Sequence, residues 1–486
     1  MSDIQKLEPK EVWHYFHEIT QIPRPSKKEQ RIIEYMREFG KKNNLETIVD
    51  SVGNVIIKKP ATKGMENRKG IILQSHLDMV PQKNSDKKHD FEKDPIETIV
   101  DGEWVKANGT TLGSDNGIGV AASMAVLASK NIAHGPLEAL FTIDEETGMT
   151  GVFGLKGGLM NGEILLNLDS EDEDELCVGC AGGIDVSAEL TYQEEDAPGN
   201  FTAYKLNIKG LRGGHSGVDI ALGRANSNKL MARFLMQAEA DFAIRVSEVS
   251  GGDLRNAIPR EANALVLVAN NEAGKFESFI KKYESMYRAE FSDTEPDLIF
   301  KFEKSAIPAK VMSKDSQYKI IRAVFVCPNG VIRMSQSIKG LVETSNNLAI
   351  VNLRNGKFEA HCLTRSSVDT AKEATAWKIA AVFHLINAGV KLTGGYPGWK
   401  PNVDSPILKV TKEIFKKLNG KDPHVKAIHA GLECGLIQGV YPGLDMISFG
   451  PTIKYPHSPD EKVNIASVGK FWNFLAETLK NIPSKN

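Results

Sequence analysis

The 486-residue sequence is poor in cysteine and has no large surplus of either charge. Its five cysteines are an odd number and are scattered, which excludes a disulfide framework and suits a reducing compartment. Cys177 and Cys180 form a lone C-x-x-C pair. With no second pair, they read as buried, inert thiols rather than as a zinc or redox site. A formal net charge of −2 excludes a nucleic-acid binder held by phosphate attraction, and gives no reason to invoke an anionic membrane surface. No stretch approaches the roughly 18 apolar residues that a membrane span needs. Met1–Lys6 has no apolar core, so no signal peptide is expected, and the location expected is cytoplasmic. There is no internal repeat and no low-complexity run. What is present is ordinary for a soluble enzyme: 41% hydrophobic and 25% charged residues. The length exceeds what one core serves, so two or three domains are expected.

The chain is organised around Ile71–Val80. Ile71–Leu73 reads as a buried strand, short and β-branched, and the run ends in His76 and Asp78. Side chains two apart in extended chain point the same way. A neutral imidazole can give one nitrogen to a cation while a nearby carboxylate accepts the N–H of the other. Taken alone, the pair reads equally well as solvated. Ahead of it, Val12, Trp13, Phe16 and Ile19 predict a helix over 9–22. A second helix is expected over Lys27–Asn43, with Ser26 as N-cap and Glu29 three residues on. Residues 45–59 alternate like strands around a turn at Gly53. This order predicts an α/β domain with a mixed sheet.

Further strand ends carry acids. The glycine-rich loop Gly109–Gly119 runs into a small-residue helix, Val120–Ser129. It lacks the Lys-Ser/Thr that a phosphate loop places after its last glycine, so it reads as a device for positioning Asp115. Strand 137–143 ends in Asp144-Glu145-Glu146, and strand 163–168 ends in Asp169. Adjacent acids are usually solvated, but Glu145 and Glu146 follow an apolar strand and precede Gly148. The acids at 171–175 read as a solvated loop. A late strand, 446–450, precedes His457 in a proline-bracketed loop, and a terminal helix is expected from Ile465 to Lys480. Open α/β sheets place their sites at the carboxyl ends of strands. Between these parts, 187–399 reads as an inserted α+β domain, so the expected division is 1–186, 187–399 and 400–486. The insertion holds a second glycine-rich turn, Gly210–Gly217, with His215 in it.

Collected together, His76, Asp78, Asp115, Glu145, Glu146, Asp169 and His457 offer two imidazoles and several carboxylates with no thiolate. That suits zinc or another borderline divalent cation. One shared carboxylate would let the set hold two ions, an arrangement used for hydrolysis. The order H-x-D, G-x-D-N-G, E-E-x-G, Asp after a strand and a late His resembles the di-zinc metallopeptidases that include the aminoacylases, desuccinylases and dipeptidases. The likeness extends through Gln74–Lys83, Gly179–Asp185, Leu254–Glu261, His429–Gly435 and Gly450–Pro459, and so covers essentially the whole chain.

The resemblance implies a catalytic domain with a mixed central sheet, plus an inserted α+β lid that also serves dimerisation. It implies that His76, Asp115 and Asp169 ligate one ion and that Glu146, Asp115 and His457 ligate the other. Zinc is the expected metal, with cobalt or manganese as alternatives. Asp78 would hold the His76 ring. Glu145 would be general base and then general acid for a metal-bound hydroxide, and His215 the donor to the carbonyl oxygen. Arg365 would take the substrate's free carboxylate, Asn256 would support His215, and Glu433 would approach the substrate's amine. The Asp115–Asn116 peptide would be cis. The activity implied is dipeptide hydrolysis with a preference for histidine at the C-terminal position. The alternative is deacylation or desuccinylation of N-acyl amino acids by the same site. An inactive metal-binding protein would lack a ligand or the base, and none is missing. A homodimer is expected, with neither nucleic acid nor membrane as partner. His89, His134, His361, His384, His424 and His429 read as surface or core histidines, with His429 singled out because it precedes Gly431-Leu432-Glu433.

Overall fold

Ile71–His76 is a strand with all six side chains buried, as a short apolar run covered on both faces should be. In this computed structural model, which describes residues 3–485, the strand pairs in parallel with Leu137–Thr142 and with Ile164–Asn167. Ile164–Asn167 pairs in parallel with Asp445–Ser448. Val55–Lys59 and Glu46–Val49 extend the sheet antiparallel on one side. Glu175–Cys180 joins antiparallel on the other, followed by His424–Ile428, which makes eight strands in all. The sheet is therefore mixed, with a parallel centre.

Register decides where the chemistry gathers. His76 lies opposite Thr142, and Gln74 lies opposite Asn167. Hence His76, the turn beginning at Ile143, and Asp169 leave the sheet at one edge and at one level. Helix Lys10–Thr20 buries Val12, Trp13, Phe16 and Ile19 as expected, and lies against Ser114–Ala128. That second helix is small-residued and buried along nearly its whole length. It starts earlier than Val120, with Asp115 and Asn116 outside helical geometry and the peptide between them cis, as the resemblance implied.

The expected helix start at Lys27 is not found. The helix runs Gln30–Lys42, and Lys27 adopts φ 69°. The Ser26 hydroxyl is taken by another partner, Asp78 Oδ2 at 2.8 Å, and so does not cap the helix. A four-stranded sheet joins Thr98–Asp101, Trp104–Ala107, Lys462–Asn464 and Ile453–Lys454. The last two form a hairpin whose loop, 455–461, carries His457. Helix Ile465–Lys480 follows, capped by Asn464.

The chain divides into two units. The first contains the residues up to Gly179, Trp399–Ala427 and those from Leu432 on; the second contains Cys180–Gly398 and Ile428–Gly431. Strand Gly182–Thr191 pairs along its whole length with Lys357–Ser366 of the second unit, so the passage between units lies ahead of residue 187. A Cβ at Gly182 would lie 2.4 Å from the Tyr396 carbonyl oxygen, so only glycine fits there. The second unit is a nine-stranded antiparallel sheet with helices Ser227–Phe242, Ala273–Glu290, Lys314–Val326 and Asp369–His384. Its core is aromatic around Phe234, which meets Phe276, Phe279, Tyr283 and Phe300. All five cysteines are buried and none is in a disulfide. Among the described residues, no helix is long and apolar enough to cross a membrane.

Candidate metal centre

Five separate strand ends and loops of the first unit deliver one cluster. His76 Nε2 lies 3.3 Å from Asp115 Oδ1 and 3.4 Å from Asp169 Oδ1. His457 Nε2 lies 3.2 Å from Asp115 Oδ2 and 2.9 Å from Glu146 Oε2. Asp115 thus presents one oxygen to each imidazole. The potential ligand atoms of His76, Asp115 and Asp169 lie within 4.8 Å of one another, as do those of Asp115, Glu146 and His457. These are the two ligand sets the resemblance implied. Glu146 Oε1 is buried without a hydrogen-bond partner, a costly condition that a cation would relieve. Imidazole and carboxylate donors with no thiolate nearby suit a borderline or hard divalent ion. The residues fit two divalent cations.

The electrostatics fit as well. Burial pushes the Glu145 carboxyl well above the ordinary range, and the charges of Asp169, Glu433 and Glu146 push it further, against His76. Burial raises Asp169 to about 6. Burial opposes ionisation of Asp115, but bonds from His457 and His76 hold it well below the usual carboxylate value. Bonds to Asp115 and Glu146 raise His457 to about 11. The imidazoles thus hold protons that an incoming cation must displace.

Asp78 is fully buried and does two things. Its Oδ1 lies 3.4 Å from His76 Nδ1, and its backbone carbonyl is 3.2 Å from the same nitrogen. Its carboxylate also accepts the backbone N–H groups of Glu145 (3.1 Å) and Glu146 (3.3 Å). One side chain therefore aims the imidazole and fixes the turn that carries the acids. The same turn is held from the other side by Glu29, which accepts the Asp144 N–H at 3.1 Å. Glu433 is buried; its Oε2 accepts from Gln74 and Thr142, both at 2.6 Å, and its Oε1 has no partner.

Glu461 belongs to the candidate site, and the sequence reading missed it. It is buried and accepts N–H bonds from Leu112 (2.8 Å), Gly113 (2.9 Å), Ser114 (2.7 Å) and Asp115 (3.2 Å), with the Ser114 hydroxyl at 2.6 Å. It holds the loop that presents Asp115. Its only sequence signal is its place in an acidic pair, Asp460-Glu461, shortly after His457.

The acids after Asp169 are not a freely solvated run. Asp172, Glu173, Asp174 and Glu175 pair with Lys454, Lys470, Lys421 and Lys426. Burial raises Glu171 to about 8, with Asp115 and Asp169 adding to the shift.

In the second unit, His215, Arg365 and His429 gather. His215 Nδ1 accepts the N–H groups of Gly217 (3.3 Å) and Val218 (3.2 Å), which assigns the ring proton to Nε2. Burial and then the charge of Arg365 lower the His215 pKa, so the ring is neutral at pH 7. Arg365 is 6% exposed, and its partners are Ser216 (3.5 Å), the Tyr396 hydroxyl (3.2 Å) and His215 Nε2 (3.4 Å). Among the described residues no carboxylate lies within 4.0 Å of it. Two donors, Nε2–H and Nη2–H, face each other, so an oxygen ligand would satisfy both. His429, buried, bonds Ser345 at 2.7 Å. Asn256 adjoins the His215 turn through its backbone carbonyl, which accepts the Ser216 N–H at 2.8 Å; its side chain is exposed.

The model of Peptidase family M20/M25/M40 matches residues 72–481. The chain is 46% identical over 485 residues to the cytosol non-specific dipeptidase of Escherichia coli (strain K12), covering 100% of each. The crystal structure of aminoacylhistidine dipeptidase from Vibrio alginolyticus matches at TM-score 0.96 and 46% identity, covering 100% of this chain and 99% of that one. Aminopeptidase PepT from Bacillus cereus shares the fold at TM-score 0.57 and 16% identity, over 98% and 99% of the two chains.

Proposed function

The chain belongs to peptidase family M20/M25/M40, and we propose that it is a cytosolic dipeptidase that uses two divalent cations and prefers histidine at the C-terminal position of its substrate. The observation that carries this reading is the Asp115 carboxylate, with one oxygen toward His76 and the other toward His457. The names of the Escherichia coli and Vibrio relatives support the substrate class and the compartment.

His76, Asp115 and Asp169 would hold one ion, and Asp115, Glu146 and His457 the other. When bound, such a pair polarises the scissile carbonyl and brings the pKa of water to about 7. Zinc is the proposed metal. Glu145 takes the proton of the attacking water and delivers it to the departing amine. Asp78 keeps the His76 ring aimed and keeps Glu145 in place. In the second unit, His215 donates Nε2–H to the carbonyl oxygen as negative charge grows there. Arg365, buried without a carboxylate, takes the substrate's free carboxylate as a fork. Asn256 supports the His215 turn through its backbone. Glu433, with one oxygen unpartnered, receives the substrate's amine.

The test is a panel of Xaa-His dipeptides, other dipeptides, tripeptides and N-acyl amino acids, assayed on metal-loaded and chelated protein. Dipeptides should be cleaved fastest, Xaa-His first among them, and chelation should abolish turnover. Faster cleavage of N-acyl amino acids would replace this reading with the deacylase one.

A further inference from the structure

Arg24 is 2% exposed, and among the described residues of the first unit no other lysine or arginine is buried. Its Nη1 donates to the carbonyl oxygens of Leu77 (2.8 Å) and Asp78 (2.9 Å), and its Nη2 to that of Gly113 (2.5 Å). The first two carbonyls directly follow His76; the third stands two residues before Asp115. One planar group therefore ties the end of the His76 strand to the loop that carries the shared carboxylate.

The loop is shaped around this group. A Cβ at Gly113 would lie 2.6 Å from Nη2, and one at Gly117 would lie 2.7 Å from it. Both glycines that bracket Ser114-Asp115-Asn116 thus leave the volume that the guanidinium fills. The backbone of Arg24 is fixed as well. The Met79 N–H donates to its carbonyl at 3.1 Å and the Ser26 N–H to the Met79 carbonyl at 3.2 Å, so 24–26 runs beside 77–79. Pro23 and Pro25 restrict the chain on either side. Glu461 takes the amides of the same loop whose carbonyl Arg24 takes, so the Asp115 loop is held through both kinds of backbone group.

We propose that Arg24 is a positioning residue for the shared carboxylate: its fork sets the distance between the His76 strand end and the Asp115 loop, and with it the spacing of the two cation positions. This rests on the reading that Asp115 bridges two ions. A lysine keeps the charge but presents it from one nitrogen, which cannot reach the carbonyls of both segments.

The test compares wild type, Arg24→Lys, Gly117→Ala and the double variant. Folding is checked by thermal melting, and metal-free protein is titrated with Co2+, followed by calorimetry and by the visible absorption of the bound ion. Wild type should bind two ions per chain. Arg24→Lys should keep one ion, lose roughly 10–100-fold in affinity for the other, and shift the cobalt spectrum, the size seen when groups that support metal ligands are removed. Its kcat should fall by a similar factor with KM little changed. Gly117→Ala, pressing on the guanidinium, should weaken the same ion, and the double variant should bind no worse than Arg24→Lys, because the pressed group is gone. Arg24→Lys with the wild-type affinity, stoichiometry and spectrum overturns the proposal while leaving the two-ion reading intact. Wild type binding a single ion overturns the two-ion reading itself. Should Arg24→Lys not fold, Gly117→Ala with unchanged cobalt binding and spectrum overturns the proposal by itself.

Discussion

At the scale of single residues, the groups proposed to hold cations are distinct from the group proposed to move protons. Glu145→Gln keeps the size of the side chain and the backbone bond to Asp78 but cannot accept a proton. It should lower kcat by roughly 10²–10⁴-fold, while metal analysis still finds two ions per chain. A loss of metal in that variant would place Glu145 among the ligands instead. Asp78→Ala removes the acceptor for the Glu145 and Glu146 amides and the partner of His76, so it should reduce metal affinity and kcat together. Most residues of the proposed site were legible in the sequence because they end a strand or follow a glycine turn: His76 and Asp78 by their spacing of two, Asp115 by its glycines, Glu145 and Glu146 by the apolar strand ahead of them. The residues that support them were not. Arg24 lies between two prolines and Glu461 in a polar loop, and what each does depends on backbone groups far away in sequence. Ser26 shows the same limit from the other side. Its pattern matches a helix cap, yet its hydroxyl is claimed by Asp78, fifty-two positions on.

At the scale of elements, the register of three parallel strands does most of the assembly. His76 opposite Thr142, and Gln74 opposite Asn167, bring three segments to one edge without any ligand having to reach. Periodicity revealed the strands but not their order, since apolar runs covered on both faces look alike. The hairpin that delivers His457 was visible only as a proline-bracketed loop. The inserted α+β unit was legible as a change of character; the second unit begins at Cys180, ahead of the expected 187, because Gly182 opens a long paired strand. The closeness of Gly182 to the Tyr396 carbonyl gives a test at this scale. Gly182→Ala should destabilise the protein by about 1–3 kcal/mol, the usual cost of forcing an extra methyl into a packed site, read as a lowered denaturant midpoint in metal-free protein.

At the scale of the whole molecule, the buried charge of the cluster sets how stability responds to pH. Asp169 at about 6, Glu171 at about 8 and Glu433 at about 8 are raised above their values in an unfolded chain. His457 at about 11 is raised as well. In each case the folded chain binds the proton more tightly than the unfolded chain, so in metal-free protein stability falls as pH rises from about 5 to 9. Cations replace those protons, so saturating Zn2+ should flatten or reverse that slope. Thermal melts across this range, with and without Zn2+, check both halves of the expectation. Because the imidazoles must release protons to bind metal, affinity for Zn2+ should also climb with pH over the same window.

Anomalous diffraction from crystals of the zinc-loaded protein tests the central claim most directly. The account predicts two peaks separated by roughly 3.5–4 Å, with Asp115 giving one oxygen to each, His76 and Asp169 on one peak, and His457 and Glu146 on the other. A single peak, or two peaks of which Asp115 touches only one, would contradict it.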